Sequence, residues 1–157
     1  MRPTVYIETT IVSYLTARPS RDVIRMGNEL LTRQWWDETR HGYDLYTSAI
    51  VIDEARRGDS AAAALRMQVL ETLPLLDLPD SALALAGSIS DGLRLPPRAR
   101  ADALHIAIAA VNGIEFLLTW NCRHLANANL TVIVAEICDN HGHVAPQIVT
   151  PQQLPES

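Results

Sequence analysis

Three carboxylates and one amide stand at positions from which they could bind a metal ion together. Glu8 directly follows a short β-rich run, and Asn121 lies just after another. Glu54 lies one to two turns into a predicted helix, and Asp102 lies in the first turns of a later one. Hard cations such as Mg²⁺ and Mn²⁺ prefer oxygen ligands of this kind. The residue types therefore indicate a site for divalent metal.

Such a site predicts hydrolysis of phosphodiester bonds. Two ions about 4 Å apart activate water and stabilise both oxygens of an in-line displacement. The formal net charge of −5 counts against a simple nucleic-acid binder, which usually has a basic face. It does not exclude a nuclease, because clustered carboxylates lower the formal charge and bound cations restore a positive surface.

Three of the four residues also have an ordinary structural interpretation. Glu8 could favour the positive end of the helix that follows it, and Asn121 could cap a helix or form a turn. Glu54 could be a solvated carboxylate, as acidic residues on helices usually are. On the residues alone, these alternatives stay open.

Asp102 is the most informative of the four because its neighbours in residues 101–109 are nearly all apolar. A carboxylate in a helix that is buried on most sides needs a partner. The structural alternative to a metal ion is an ion pair with Arg98 or Arg100. His105, one turn further along, is predicted to be a core histidine with satisfied hydrogen bonds, not a ligand.

The elements that must position these residues alternate along the chain. Apolar and β-branched runs predict strands at residues 4–7, 43–47, 73–78, 115–119 and 147–150. Helical spacing and capping residues predict helices at residues 11–15, 20–41, 48–58, 59–71, 80–93, 98–112 and 127–141. The alternation predicts a single α/β domain over residues 1–157. Its central parallel sheet of about five strands has helices on both faces, and ligands bind at the carboxyl ends of such strands.

Two of these elements required a choice. Pro74 makes residues 73–78 an edge strand, since proline cannot serve a central ladder. Part of residues 127–141 looks like a strand when read alone. The apolar residues of this segment nevertheless fall at helical spacing, and Gly142 supplies a C-terminal stop, so we predict a helix.

The predicted helix at residues 20–41 carries a possible partner surface. Ser20 is its predicted N-cap, and Gly42 ends it. An apolar stripe follows its length, formed by Val23, Met26, Leu30 and Leu31. We expect at least one of Trp35 and Trp36 to lie in the core, and we interpret the helix around them as a surface for a second copy or another protein.

Composition restricts the class of protein. A chain of 157 residues that is 48% apolar fits one compact domain. Cys122 and Cys138 form neither a CxxC pair nor a zinc-ligand spacing, so we predict two reduced thiols. The start shows no secretory signal, and no apolar run approaches the roughly 18 residues of a membrane span. We therefore expect a cytoplasmic protein with no membrane contact.

Four short motifs resemble those of the PIN domain family. Residues 6–10 (YIETT) are similar to its opening strand, which ends in an acidic residue followed by Thr or Ser. The other three are residues 48–58 (SAIVIDEARRG), 101–107 (ADALHIA) and 118–121 (LTWN), the last followed by His124 and Leu125. The motifs occur in the family's order, and the resemblance covers nearly the whole chain. In the second motif a Glu stands four residues before a Gly, which selects Glu54 and not Asp53.

The resemblance implies a homodimeric ribonuclease that depends on Mg²⁺ or Mn²⁺ and has a five-stranded parallel sheet. Glu8, Glu54 and Asp102 would hold one or two ions. Asn121 would complete the coordination, directly or through water. Bacterial members of this size, the VapC-type toxins of type II toxin–antitoxin systems, are usually neutralised by a small antitoxin whose C-terminal segment fills the active-site groove. The expected partners are therefore RNA, an antitoxin and a second copy.

Two departures from the family's pattern support an alternative function. Glu8 stands where the family usually has Asp, and Asn121 stands where Asp is frequent. A site with less charge should bind Mg²⁺ more weakly. The alternative is a catalytically silent PIN scaffold that binds a protein partner or RNA without cutting it. A phosphate-binding receiver-like domain is disfavoured, because no glycine-rich loop follows the first strand.

Overall fold

A parallel β-sheet lies at the centre of the protein. The computed structural model describes residues 1–121 and 128–154. Within these ranges the strands are β1 (Thr4–Ile7), β2 (Asp44–Tyr46), β3 (Phe116–Leu118) and β4 (Gln147–Val149). Each pair is parallel, and the order across the sheet is β2-β1-β3-β4. The two central strands, β1 and β3, therefore end side by side.

Helices flank this sheet, which confirms the predicted α/β class. Among the described residues they are α1 (Thr9–Thr16), α2 (Val23–Gln34), α3 (Ala49–Ala55), α4 (Ser60–Leu70), α5 (Asp80–Gly92), α6 (Arg100–Val111) and α7 (Ala128–Asn140). Helix α1 packs against α2, α3 and α4, while α5 packs against α6 and α7. The helix predicted from the apolar spacing of residues 127–141 is α7, and residue 127 lies outside the described ranges.

The fifth strand predicted at residues 73–78 does not form, so that prediction was wrong. Its segment makes a single parallel bridge, between Leu75 and Thr47 at the outer edge of β2. The Thr47 amide donates to the Pro74 carbonyl at 3.0 Å, and the Leu76 amide donates to the Thr47 carbonyl at 2.8 Å. Pro74 has no N–H, and Pro79 ends the segment four residues after the bridge, so the ladder is too short for a strand.

Helix α2 is shorter than predicted, and its apolar stripe faces outward. Asp22 caps it instead of Ser20, and it continues into a π-helical turn (Trp35–Thr39) and a 3₁₀ turn (Arg40–Gly42). Val23 is 75% exposed and Leu30 is 56% exposed. The buried residues of α2 are Glu29 and Thr32, and Trp35 of the following turn is buried as well.

Hydrogen bonds hold most of the polar inward face of α2, although Oε2 of Glu29 has no hydrogen-bond partner among the described residues. Glu29 accepts a bond of 2.9 Å from the Ser20 amide and lies 3.8 Å from the Arg25 guanidinium. Thr32 donates to the Asn28 carbonyl at 2.7 Å, and its hydroxyl also accepts a bond from the Trp120 indole N–H at 2.7 Å. These bonds allow polar side chains to point inward while apolar ones remain outside.

Helix α6 lies in the core, as its apolar sequence predicts. Seven of its residues are buried: Ala103, His105, Ile106, Ala107, Ile108, Ala109 and Ala110. The six apolar ones pack with β1 and β3 residues in one hydrophobic cluster. Cys138, also in this cluster, is a free buried thiol, while Cys122 lies outside the described residues. Within the described ranges, no helix is long and apolar enough to cross a membrane.

Candidate metal centre

The carboxyl ends of β1 and β3 place Glu8 beside Thr119. Ile7 and Leu118 are partners in the parallel register, so the residue after each lies at the same edge of the sheet. Glu8 is only 4% exposed. Its Oε1 accepts bonds from the Thr119 hydroxyl at 2.6 Å, the Thr10 amide at 3.1 Å and the Thr10 hydroxyl. The carboxylate therefore caps α1 and is held in place by three donors.

Helix α3 carries Glu54 to the same edge of the sheet. Ser48 caps this helix, and Val51 and Ala55 bury its inner side. The Glu54 side chain is 24% exposed, and its Oε1 accepts a bond of 2.7 Å from the Thr9 hydroxyl. A second bond of 2.7 Å joins the same oxygen to Nε2 of His105. Helices α1, α3 and α6 thus meet at one carboxylate.

His105 is held at both ends of its ring. It is 1% exposed, and its Nδ1 lies 2.6 Å from the Tyr6 hydroxyl. That hydroxyl lies 2.7 Å from Oγ of Ser48. The predicted core histidine is therefore buried and hydrogen-bonded, but one of its partners is a candidate metal ligand.

Glu8, Glu54 and His105 form a group that could hold a metal ion. A carboxylate oxygen from each glutamate and a ring nitrogen of His105 all lie within 4.8 Å of one another. The donors are mainly oxygens with one imidazole, a set that suits Mg²⁺ and Mn²⁺ and also later transition metals. The residues therefore fit a divalent cation.

Asp102 does not belong to this group of three, but hydrogen bonds through Asn121 and Thr119 connect it to Glu8. The Asn121 side-chain amide donates to Oδ1 of Asp102 at 3.0 Å. The Asn121 backbone amide donates to the Thr119 hydroxyl at 2.9 Å, and the same hydroxyl donates to Glu8. Asn121 is thus a polar partner of the Asp102 carboxylate on α6. From the sequence, the partner expected in place of a metal ion is Arg98 or Arg100. The end of the fourth motif, His124 and Leu125, lies outside the described residues.

The charges of the centre act on each other. Burial opposes ionisation of Glu54, but the hydrogen bond and charge of His105 outweigh it and lower the pKa of Glu54. Burial likewise opposes protonation of His105. Its hydrogen bond to Glu54 and the charges of Glu8, Glu54 and Asp102 outweigh that effect, so the pKa of His105 is raised. Burial raises the pKa of Tyr6, whose hydroxyl therefore stays protonated at neutral pH.

Sequence reasoning missed the bond between His105 and Glu54. The signal that could have suggested it is the spacing in α6, where His105 stands three residues after Asp102 and so on a neighbouring part of the helix surface. Its partners were not readable, because Tyr6 is 99 residues and Glu54 is 51 residues away in the sequence.

The sequence matches the family model of the PIN domain over residues 5–128. No match was found among curated proteins or among solved structures. The matched range contains β1 to β3 and every residue of the centre described above. The chain therefore belongs to the PIN domain family, whose members are generally metal-dependent nucleases.

Proposed function

We propose that this chain is a metal-dependent endoribonuclease in which Glu8, Glu54 and Asp102 hold one or two Mg²⁺ or Mn²⁺ ions. Asn121 would complete the coordination, directly or through water. The observation that carries the proposal is the convergence of Glu8 and Glu54 with His105 within 4.8 Å. Two carboxylates so close repel each other, and a bound cation would offset that repulsion.

An arginine-lined cleft at the C-terminal end of α1 supports an anionic polymer such as RNA as the substrate. Its volume is about 660 Å³, and Arg18, Arg25 and Arg66 line it. The Arg25 guanidinium lies 4.8 Å from the centroid of the Tyr14 ring, and Tyr14 stacks on Trp120, which directly precedes the candidate amide ligand. One Arg guanidinium can bind two phosphate oxygens at once, so the cleft offers contacts for the phosphates of such a polymer.

The residues of the centre would prepare it for catalysis. A divalent ion bound there would supply a Lewis acid that activates water and offsets charge on the phosphate oxygens. Thr119 and Thr10 fix the Glu8 carboxylate, and Thr9 fixes that of Glu54. Carboxylates held in this way need little rearrangement when they bind an ion or when charge develops on the substrate.

We also propose that the nuclease is the toxin of a toxin–antitoxin pair, acts as a homodimer and is neutralised by a small antitoxin. The four motifs support this assignment. The exposed apolar side chains of α2, Val23 and Leu30 among them, offer a surface that such a partner could cover. Trp35 is buried and therefore does not belong to this surface.

Cleavage of a mixed cellular RNA pool tests the proposal directly. Purified protein would be incubated with Mn²⁺ or with EDTA, in parallel with Asp102→Asn and with Asp139→Asn, an exposed carboxylate of α7, as the matched control. We expect fragments only with metal, from the parent and the control but not from Asp102→Asn. Cleavage that survives Asp102→Asn would contradict the assignment.

The silent scaffold remains the second candidate because Glu8 and Asn121 depart from the usual acidic pattern. Calorimetry with Mn²⁺ distinguishes the two functions. A nuclease should bind Mn²⁺ in a way that Asp102→Asn weakens, whereas a silent scaffold should show no binding that depends on Asp102. RNA retained by folded protein without cleavage, in the presence of Mn²⁺, would favour the scaffold.

A further inference from the structure

We propose that His105, held by Tyr6, is a positioning residue that fixes the Glu54 carboxylate for metal binding. This inference rests on the proposed function, because it assigns a role within the same centre. It adds a buried histidine and a tyrosine to the residues that determine metal affinity. Neither would itself contact the ion.

The first argument is the geometry of the histidine ring. Nε2 of His105 lies 2.7 Å from Oε1 of Glu54, and Nδ1 lies 2.6 Å from the Tyr6 hydroxyl. The Tyr6 ring also packs edge-on against the imidazole, with ring centroids 5.6 Å apart. Any rotation of the imidazole would therefore break a buried hydrogen bond at one end or the other.

The second argument is how Tyr6 is held. Its hydroxyl contacts Ser48 at 2.7 Å, and Ser48 is the N-cap of the helix that carries Glu54. The chain of bonds thus starts and ends on α3 and passes through β1 and α6. Such a closed path fixes the imidazole relative to the helix of the carboxylate that it contacts.

The third argument concerns the two oxygens of Glu54. Thr9 and His105 both bind Oε1, at 2.7 Å each. With Oε1 engaged by two protein donors, Oε2 is the oxygen that we assign to the metal ion. A partly exposed glutamate has several rotatable bonds, so donors that restrict it reduce the entropy lost when an ion binds.

Two substitutions at position 105 separate positioning from packing. In His105→Gln the amide nitrogen can lie near the place of Nε2 and still donate to Glu54. In His105→Asn the shorter side chain can reach Tyr6 but not Glu54. The dissociation constant for Mn²⁺ would be measured by calorimetry. We expect it to rise about 10- to 100-fold in His105→Asn, which is the loss typical of removing a residue that orients a metal ligand. In His105→Gln we expect it to rise no more than about threefold.

A second pair of variants keeps the inference testable if the histidine variants do not fold. Tyr6→Phe retains the ring and removes only the hydroxyl that holds Nδ1. Tyr46→Phe is the matched control, since Tyr46 is the register partner of Tyr6 on β2 and lies outside the centre. We expect Tyr6→Phe to weaken Mn²⁺ binding severalfold and Tyr46→Phe to leave it unchanged, with both variants retaining the circular dichroism of the parent.

Equal Mn²⁺ affinity in the parent, His105→Asn and Tyr6→Phe would overturn the inference. So would electron spin-echo spectra of bound Mn²⁺ that show a directly coordinated imidazole nitrogen, because His105 would then be a ligand. Failure of the proposed function itself gives a different result, in which the folded parent neither binds Mn²⁺ nor cleaves RNA.

Discussion

The two sides of the candidate metal centre are built differently. The glutamate side, Glu8 and Glu54, receives hydrogen bonds from three threonines and one histidine. The amide side, Asp102 and Asn121, is joined by a hydrogen bond of 3.0 Å between its own two members. The glutamate side draws on α1, α3, α6 and the sheet, whereas the amide side draws only on α6 and the residues that follow β3.

This difference suggests separate contributions to metal binding. On the glutamate side, the donors hold each carboxylate before any ion arrives, which favours affinity. On the amide side, the neutral Asn121 replaces a possible fourth charge, so this side limits the net charge of the centre. The sides are connected through Thr119, whose hydroxyl donates to Glu8 and accepts from the Asn121 backbone amide.

The largest effect should come from removing charge on the glutamate side. Glu54→Gln keeps the shape of the side chain but removes its negative charge, and an amide nitrogen replaces one of the two carboxylate oxygens. We expect RNA cleavage to fall about 10²- to 10³-fold or more, as when a group that stabilises transition-state charge is lost. The adjacent Asp53→Asn is the matched control, because Asp53 is exposed on the same helix and should have no effect. Equal losses in both variants would contradict the choice of Glu54 as the ligand.

A smaller effect should follow from separating the two sides at Thr119. Thr119→Val removes a buried hydroxyl that makes a bond with each side, and should lower the free energy of unfolding by about 1–2 kcal/mol. Because Glu8 loses a donor, Mn²⁺ affinity should also fall about tenfold. Thermal unfolding and calorimetry measure these changes. Thr119→Ser retains the hydroxyl and should have most of the Mn²⁺ affinity of the parent. If it does not, packing of the Thr119 methyl group, and not the hydrogen bonds of its hydroxyl, determines the affinity.

The smallest effect should be a pH dependence of thermal stability that arises from Glu54 and His105. The lowered pKa of Glu54 contributes stability above its ordinary value of 4.5, which is lost as the pH falls through the lowered value. The raised pKa of His105 contributes stability below its ordinary value of 6.5, which is lost as the pH rises through the raised value. Metal-free protein should therefore lose some thermal stability as the pH increases above 6.5.

His105→Gln should reduce this loss, because an amide side chain does not titrate. His41→Gln is the control, since His41 is exposed on the 3₁₀ turn. Unfolding temperatures would be measured in EDTA from pH 5 to 9, since a bound cation would change the protonation of both groups. If both variants keep the slope of the parent, the dependence arises elsewhere.

The residues of the centre were predictable where a local rule applied. Glu8 and Thr119 each follow the last residue of a strand. Because the carboxyl ends of parallel strands meet at one edge of a sheet, the two residues could be expected to lie close together. The apolar surroundings of Asp102 indicated a partnered carboxylate. His105 could not be assigned in the same way, since its two partners come from distant parts of the chain and only the folded sheet brings them together.

The errors in the predicted fold also have physical causes. Helical periodicity reveals that α2 has two faces, but not which of them faces inward. The inward face contains Glu29 and Thr32, whose partners Ser20 and Trp120 could not be identified from periodicity. An apolar run at residues 73–78 satisfies the composition of a strand, but strand formation depends on a continuous series of amide donors, which Pro74 interrupts.

The single bridge between Thr47 and Leu75 also affects how the sheet can meet other chains. An open edge strand is a template on which a foreign strand can add and from which aggregates can grow. Here the segment around Pro74 lies on the outer side of β2, and two of its residues form hydrogen bonds with the Thr47 backbone. The outer edge of β2 is therefore already paired at Thr47, so a strand from another chain cannot pair there without displacing this segment.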